Sequence, residues 1–111
     1  MNFETVQLRK QPPAYAYLDV TTTERAGSVH QLNRGVTSLG RSGANDIRLD
    51  DASVSGEHAR IRFEGDGQFT LIDLGSSNGA KLNGRRTQQH TLRHNDVIEL
   101  GETRLIFKRV C

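Results

Sequence analysis

The sequence has one cysteine, Cys111, among its 111 residues. A single thiol excludes an internal disulfide framework and a zinc cage of thiolates within one chain. It favours a reducing compartment, and we therefore expect a cytoplasmic location. No apolar run approaches the roughly 20 residues that a membrane helix needs. The first ten residues lack the apolar stretch of a signal peptide, and we expect no insertion into a membrane.

Neither sign of charge dominates the sequence. Lysine and arginine number 15 and aspartate and glutamate 13, which leaves a formal net charge of +2. This excess is too small to require a nucleic-acid partner. Arg85, Arg86 and Arg93 could form a basic patch, but no aromatic residue lies among them to stack on bases. We expect no nucleic acid as a partner; a nucleic-acid binder, which would lose affinity steeply with salt, remains an alternative.

Catalytic and metal-binding constellations are also missing. His90 and His94 lie four residues apart, a spacing that suits a metal pair on a helix, but the residues around them are typical of a turn. Asp50 and Asp51 are typical of a solvated turn. No nucleophile is placed with a base, and the candidate loops have nothing that would exclude water. We therefore expect no metal, no cofactor and no enzymatic activity.

Glycine is frequent, with 11 residues, whereas proline occurs twice and tryptophan is absent. This combination indicates short strands joined by tight turns. Turns are predicted, for example, at residues 25–27 and at Asn83-Gly84, since an Asn-Gly pair adopts positive φ at low cost. Ala59, Ile61 and Phe63 alternate with charged neighbours, the pattern of a half-buried strand. No window of ten residues has a convincing helical period. The predicted strands cover residues 14–20, 28–33, 36–40, 47–49, 58–64, 68–74, 80–83, 97–100 and 103–110.

Regularly spaced short strands of this kind predict an all-β sandwich or barrel. A sandwich collects its loops at two ends, where binding residues are usually found. Residues 1–13 are polar and end in paired prolines, so we interpret them as a leader or linker. Residues 14–111 form the predicted domain. We expect the chain to be one module of a larger protein.

Three predicted loops, at residues 39–42, 53–58 and 73–84, are rich in hydrogen-bonding groups. Together they offer the fork of one arginine, Arg41, with several hydroxyls and two side-chain amides. The planar guanidinium can donate two parallel hydrogen bonds to a phosphate. Hydroxyls and backbone N–H groups can satisfy the remaining oxygens. This set predicts a pocket for a small oxyanion.

The order and spacing of these segments resemble the forkhead-associated (FHA) domain family. The resemblance extends over residues 15–108. The matching segments are Gly40-Arg41, Ser55 with His58, Asp73-Leu74, Ser77-Asn78-Gly79, Asn83-Gly84 and His94-Asn95-Asp96-Val97-Ile98-Glu99-Leu100-Gly101. The resemblance implies an FHA-like β-sandwich of two twisted, mainly antiparallel sheets, with recognition loops at one end. It also implies binding of phosphothreonine peptides in Ser/Thr-kinase signalling.

The resemblance implies a role for each matching residue of the recognition loops. Arg41 matches the arginine that contacts the phosphate, and Ser55 the serine whose hydroxyl also reaches it. Ser77 matches the position beside the pocket. Asn78 matches the asparagine that holds the backbone of the phosphopeptide. The expected partner is a phosphothreonine-containing protein or peptide, or the chain's own tail, bound by a monomer or a weak dimer.

Four further residues match architectural positions of the family: Gly40, His58, Gly79 and Asn83. The histidine in this set is expected to brace the loops. Asp73, at the end of a strand, is expected to cap the turn that follows, because its side chain can bond the backbone of that turn.

Gly56 and Ser53 flank the predicted pocket and are expected to contribute to peptide binding, with the loop at residues 42–45. The family often has Arg, Lys or Asn at the position of Gly56, where a side chain adds a contact. The glycine removes that contact. It therefore favours one alternative, a phospho-independent scaffold of the same fold that binds through a sheet face, for example at Tyr17.

Overall fold

The computed structural model of the chain describes residues 15–21, 28–32 and 35–110. Eleven strands and no helix occur within these ranges. In chain order the strands are Tyr15–Val20 (β1), Val29–Gln31 (β2), Val36–Gly40 (β3), Ile47–Arg48 (β4), Ala59–Gly65 (β5), Gln68–Asp73 (β6), Ala80–Leu82 (β7), Arg85–Thr87 (β8), Gln89–Thr91 (β9), Val97–Leu100 (β10) and Thr103–Val110 (β11). None of the described residues forms a helix that could cross a membrane.

The described strands form two sheets. One has the order β2-β1-β11-β10-β7-β8 and the other the order β4-β3-β5-β6-β9. The short β3–β4 pair is parallel, and the other registered pairs are antiparallel. The predicted all-β sandwich of two mainly antiparallel sheets is therefore confirmed.

Alternation along the strands builds the core between the sheets. In β5, Ala59 and Ile61 are buried while Arg60 and Arg62 are exposed. Successive side chains of a strand point to opposite faces, so each strand contributes every second residue. Each large apolar side chain that is buried in this way contributes about 1.5–3 kcal/mol to folding.

Aromatic contacts join the two sheets near the middle of the core. The rings of Phe69, in β6, and Phe107, in β11, lie 5.7 Å apart at an edge-to-face angle of 62°. Phe63 packs on Phe69 at 5.1 Å. Such pairs add about 0.5–1.5 kcal/mol beyond the area they bury. This aromatic packing thus holds β5, β6 and β11 firmly against one another.

Two strands, β8 and β9, were absent from the predicted set. Both are polar, and no side chain in either is buried. They therefore lack the apolar alternation that identifies a strand from sequence. Their pairing with β7 and β6 comes from backbone hydrogen bonds at the edges of the two sheets. The turn predicted around His90 and His94 is found only in part: His90 and Thr91 lie in β9, and the turn itself is at His94 and Asn95.

The predicted Asn-Gly turn between β7 and β8 is confirmed. Asn83 and Gly84 both have positive φ, at 52° and 86°. This is the backbone of a tight hairpin whose twist matches that of its strands. The predicted leader at residues 1–13, the turn at residues 25–27 and Cys111 lie outside the described residues.

Strand register brings the three polar loops to one end of the sandwich. Leu39, near the end of β3, pairs with Ala59 at the start of β5, and Ala59 pairs with Asp73 at the end of β6. The segments that leave β3, enter β5 and leave β6 therefore emerge side by side. This end of the sandwich, which we call the loop end, carries the predicted site residues.

Candidate phosphopeptide site

Arg41 follows β3 directly and is anchored at both its backbone and its side chain. Its N–H donates to the Ser55 carbonyl at 3.0 Å, and its Nε donates to the Val54 carbonyl at 3.1 Å. Its own carbonyl accepts a bond from Arg48 Nε at 3.2 Å. The side chain is exposed, and no described residue pairs with its terminal nitrogens. The free edge of the guanidinium therefore faces solvent.

Ser55 and Ser77 link two of the loops. The Ser77 N–H donates to Ser55 Oγ at 3.2 Å, across 22 residues of sequence. A serine hydroxyl has one donor besides its acceptor sites. Because Ser55 Oγ accepts from the protein, its O–H remains available to donate to an incoming oxyanion. The Ser77 side chain is exposed on the loop that follows β6.

His58 connects the same two loops from beneath and is completely buried. Its Nδ1 accepts the Ser55 N–H at 3.1 Å, and its Nε2 lies 2.7 Å from the Gly79 carbonyl oxygen. The bond from Ser55 requires an unprotonated Nδ1, so Nε2 carries the proton and donates to Gly79. One neutral imidazole thus fixes the position of the Ser55 loop relative to the loop that contains Gly79.

Gly40 is required by a close approach of two backbones. A Cβ added there would lie 2.7 Å from Asn45 Nδ2 and 2.9 Å from the Gly56 carbonyl carbon. The Gly56 carbonyl in turn accepts bonds from Asn45 Nδ2 at 2.6 Å and from the Ser42 N–H at 3.2 Å. This contact seats the loop after β3 against the loop before β5, and so positions the arginine between them.

Asn78 is exposed and its Nδ2 donates to the Ser53 carbonyl at 2.7 Å. One amide N–H and the side-chain carbonyl remain for a ligand. The Ser53 hydroxyl is fully engaged: it donates to Asp51 Oδ1 at 2.7 Å and accepts the Glu102 N–H at 2.8 Å. Ser53 therefore supports the loop, and its side chain has no free O–H to donate to a peptide.

Asp51 organises this part of the site, a role that the predicted solvated turn did not include. Its carboxylate accepts the Ser53 N–H at 2.9 Å and the Thr103 hydroxyl at 2.6 Å. Burial acts to raise the pKa of Asp51, but the hydrogen bonds from Thr103 and Ser53 outweigh it and hold the pKa below its usual value. The ionised carboxylate ties the Ser53 loop to the first residue of β11.

Asp73 caps the turn that follows β6, as predicted. Its Oδ2 accepts the N–H groups of Gly75 and Ser76 at 3.0 and 3.2 Å, and its Oδ1 accepts the Ser76 hydroxyl at 2.6 Å. Bonds of this kind define an Asx turn. Both oxygens of the carboxylate accept bonds from this turn, so the role of Asp73 is structural.

Gly79 and Asn83 occupy positions that their backbones explain. Gly79 has a φ of 76°, and a Cβ there would lie 2.8 Å from Arg86 Nε. Arg86 therefore packs over the loop, a neighbour that no sequence motif indicated. Asn83 Nδ2 donates to Asp96 Oδ1 at 2.9 Å, and its Oδ1 accepts the Val97 N–H at 2.9 Å. Asn83 thus fastens the β7–β8 hairpin to β10.

The loop end brings together most of the residues predicted from the motifs. Arg41 and Ser77 both bond to Ser55, and Asn78, next to Ser77 in the sequence, bonds to the Ser53 carbonyl. Asn83 lies apart in the β7–β8 hairpin. Asn45, in the loop predicted to flank the pocket, and Asp51 complete the framework, but neither was predicted to hold the loops together. Both are short polar side chains in loops, and their partners lie up to 52 residues away in sequence.

Comparisons with known proteins agree with this arrangement. The family model described as FHA domain matches residues 37–101. The glycogen accumulation regulator GarA of Mycobacterium tuberculosis is 38% identical over 96 residues, which cover 86% of this chain and 59% of GarA. The chain therefore spans less than two thirds of that relative.

Two further relatives are similar over most of the chain. The oxoglutarate dehydrogenase inhibitor of Corynebacterium diphtheriae is 39% identical over 97 residues, 86% of this chain and 67% of the inhibitor. A solved domain from a structural and functional analysis of phosphothreonine-dependent FHA domain interactions superposes with a TM-score of 0.79. It is 33% identical, and the match covers 85% of this chain and 95% of that domain.

The histidine bridge generates the first testable prediction. Replacing His58 by alanine leaves the Ser55 N–H and the Gly79 carbonyl without their partner in a buried place. Each such group costs about 1–3 kcal/mol, so we expect the free energy of unfolding to fall by about 2–5 kcal/mol in urea titrations. His90→Ala is the control: this imidazole is exposed, and its loss should cost within about 0.5 kcal/mol. Equal stability of the two variants would contradict the bridge.

Proposed function

This chain belongs to the FHA domain family, and on that premise we propose that it is a phosphothreonine-peptide-binding adaptor module acting downstream of Ser/Thr kinases. One observation carries the proposal. The Arg41 guanidinium is held by Val54 through Nε, while its terminal nitrogens have no partner among the described residues. A charged fork that is fixed in place and left open suits a phosphate.

The loop end has enough hydrogen-bonding capacity for a useful affinity. A phosphothreonine carries about −1.5 to −2 charges and three acceptor oxygens near neutral pH. The fork of Arg41 and the hydroxyl of Ser55 together supply three donors, each worth about 1.5–3 kcal/mol to a charged group. Their sum is about 4.5–9 kcal/mol, and a micromolar complex needs about 8 kcal/mol. The site requires little ordering because its loops are already bonded to one another.

Peptide backbone contacts would supply the remainder. Asn78 retains one amide donor and its carbonyl acceptor after its bond to Ser53, a pair that matches the N–H and C=O of an extended peptide. Next to this loop, Arg86 lines a cleft of about 380 Å³ with Ser76 and Gln88. The cleft is open to a side chain of the ligand a few positions from the phosphothreonine.

The relatives also support a proposal about the setting of the module. Their names describe a regulator of glycogen accumulation and an inhibitor of oxoglutarate dehydrogenase, which supports a binding and regulatory role rather than catalysis. We propose that this module acts within a larger protein in the cytoplasm, where kinases have ATP, as a monomer or weak dimer. Its ligand is another phosphorylated protein or a phosphorylated segment of its own chain.

Loss of the arginine fork should abolish recognition of the phosphate. A degenerate library of phosphothreonine peptides selects the best binder, and calorimetry then compares its phosphorylated and unphosphorylated forms. We expect Arg41→Ala to weaken binding of the phosphorylated form at least about 30-fold, because two charge-assisted bonds are lost. Arg85→Ala removes an equal charge from an exposed side chain near the far end of the β7–β8 hairpin, and should change affinity less than about twofold.

Two results would overturn the proposal. One is equal affinity for the phosphorylated and unphosphorylated peptides, and the other is unchanged affinity in Arg41→Ala with retained folding. Either result, combined with loss of binding in Tyr17→Ala, would instead support a phospho-independent scaffold that uses a sheet face.

Gly56 offers the opposite experiment, a gain of affinity. Nothing lies within 4 Å of a Cβ added at this position, and the residue has no positive φ. Gly56→Arg should therefore fold normally and place a second cation beside Arg41. One new charge-assisted bond of about 1.5 kcal/mol corresponds to roughly tenfold tighter binding of the phosphopeptide.

The control for this gain is Gly35→Arg. Gly35 also has open space around it, and it precedes β3, at the end of the strand away from Arg41. The two variants have the same net charge, so a general attraction would tighten binding equally in both. That outcome, or no gain in Gly56→Arg, would contradict the assignment of this position to the phosphate pocket.

A further inference from the structure

A second pocket lies at the end of the sandwich opposite the loop end. It has a volume of about 570 Å³ and is lined by Gln68, Arg93, His94 and Arg109, with His90, Thr91 and Leu92 completing the wall. Strand β6 runs from Gln68 to Asp73, five residue steps of about 3.4 Å, so the pocket is about 17 Å from the turn at Asp73. It shares no lining residue with the candidate phosphopeptide site.

Arg109 stands on the inner face of its strand. In β11, Leu105 and Phe107 are completely buried, and Arg109 follows them in the same alternating register. Opposite it in β1 is Ala16, which is also buried and is too small to fill the space. The fold thus directs a guanidinium inward, across the open end of the core, where an apolar side chain would be expected.

The Nε of Arg109 has no hydrogen-bond partner within the part of the chain that the structure describes. This nitrogen is buried. A buried polar donor without an acceptor costs free energy, and more so for a charged group. Native proteins satisfy nearly all such groups with protein, water or a ligand. The unpaired donor therefore marks a place for an acceptor that carries negative charge.

The remaining groups of the wall favour an anion over a metal ion. Arg93 contributes a second positive charge, and His94, whose Nδ1 accepts the Arg109 N–H, has its proton on Nε2 and can donate it. Among the described residues no carboxylate lines the pocket, and the neighbouring Asp96 accepts bonds from the Arg93 N–H at 2.7 Å and from Asn83. No group of three or more potential metal ligands occurs among the described residues.

The wall is rigid before any ligand arrives. His94 Nδ1 accepts the Arg109 N–H at 3.0 Å, and the Asn95 N–H donates to the Phe107 carbonyl at 2.7 Å. Leu92, which is buried, donates its N–H to the Phe69 carbonyl at 2.8 Å. These bonds fix the loop after β9 against the end of β11. Binding there would require little rearrangement, as is usual for small-molecule sites.

We propose that this pocket, which we call the Arg109 pocket, is a second binding site that takes a small organic oxyanion with phosphate or carboxylate groups. Its volume falls in the range of about 300–1,000 Å³ that small-molecule sites occupy. The anion accepts from Arg109 Nε and is flanked by Arg93 and His94. The proposal is independent of the phosphopeptide site, since the two share no residue.

The test uses NMR titrations of the intact chain with inorganic phosphate and with citrate, at constant ionic strength. We expect saturable shifts of the Arg109 Nε–H signal and of the backbone amides of residues 90–94 and 109. Stronger binding of citrate would identify carboxylates as the preferred groups, and stronger binding of phosphate would identify a phosphorylated ligand. In either case the amides of Arg41 and Ser55 mark the other site and distinguish the two.

Variants separate this site from general screening of charge. Arg109→Gln should weaken the saturable binding at least about tenfold, and Arg93→Gln, on the exposed loop, should weaken it about threefold. Arg60→Gln removes an exposed arginine from β5 and should leave it unchanged. Shifts that stay linear with concentration, or that are equal in Arg109→Gln and Arg60→Gln, would overturn the proposal. Phosphopeptide binding should survive in Arg109→Gln, whatever the outcome for the anion.

Discussion

The loop end depends on one buried imidazole. His58 accepts the Ser55 N–H and donates to the Gly79 carbonyl, so it ties two loops that are separated by more than 20 residues. Burial of Val54 also anchors the first of these loops, whereas residues 75–79 of the second are all polar or glycine. The imidazole makes both bonds from a completely buried position, one through each ring nitrogen. The position of Ser55 relative to the arginine follows from this bridge.

A second constraint operates at backbone level. Gly40 touches the Gly56 carbonyl so closely that no side chain fits, and Arg41 donates its N–H and its Nε to two carbonyls of the neighbouring loop. The guanidinium is thereby oriented by backbone carbonyls, which cannot neutralise it as a carboxylate would. A cation held in this way pays little entropy to bind a phosphate. At the opposite end of the fold, Arg109 continues an inward-facing register, and its buried Nε has no partner among the described residues.

The sequence motifs predicted the features that depend on neighbouring residues. The contacts between residues distant in sequence depend on strand register and became visible only in the structure. The alternation of β5, the turn at Asn83 and the cap of Asp73 are local patterns, and the structure confirms them. The edge strands β8 and β9 escaped prediction because they bury no side chain. Asp51 was misjudged because its partner Thr103 is 52 residues distant. The sequence does not single out Arg109 either, because a polar residue near the end of a strand forms no recognisable pattern until the partner strands are known.

A crystal structure of the chain with a selected phosphothreonine peptide tests the central claim most directly. The account predicts that the terminal nitrogens of Arg41 and the hydroxyl of Ser55 lie about 2.7–3.2 Å from phosphate oxygens, with the protein backbone unchanged at His58. A phosphate bound instead at Arg86 or in the Arg109 pocket, with the Arg41 fork still in solvent, would contradict it.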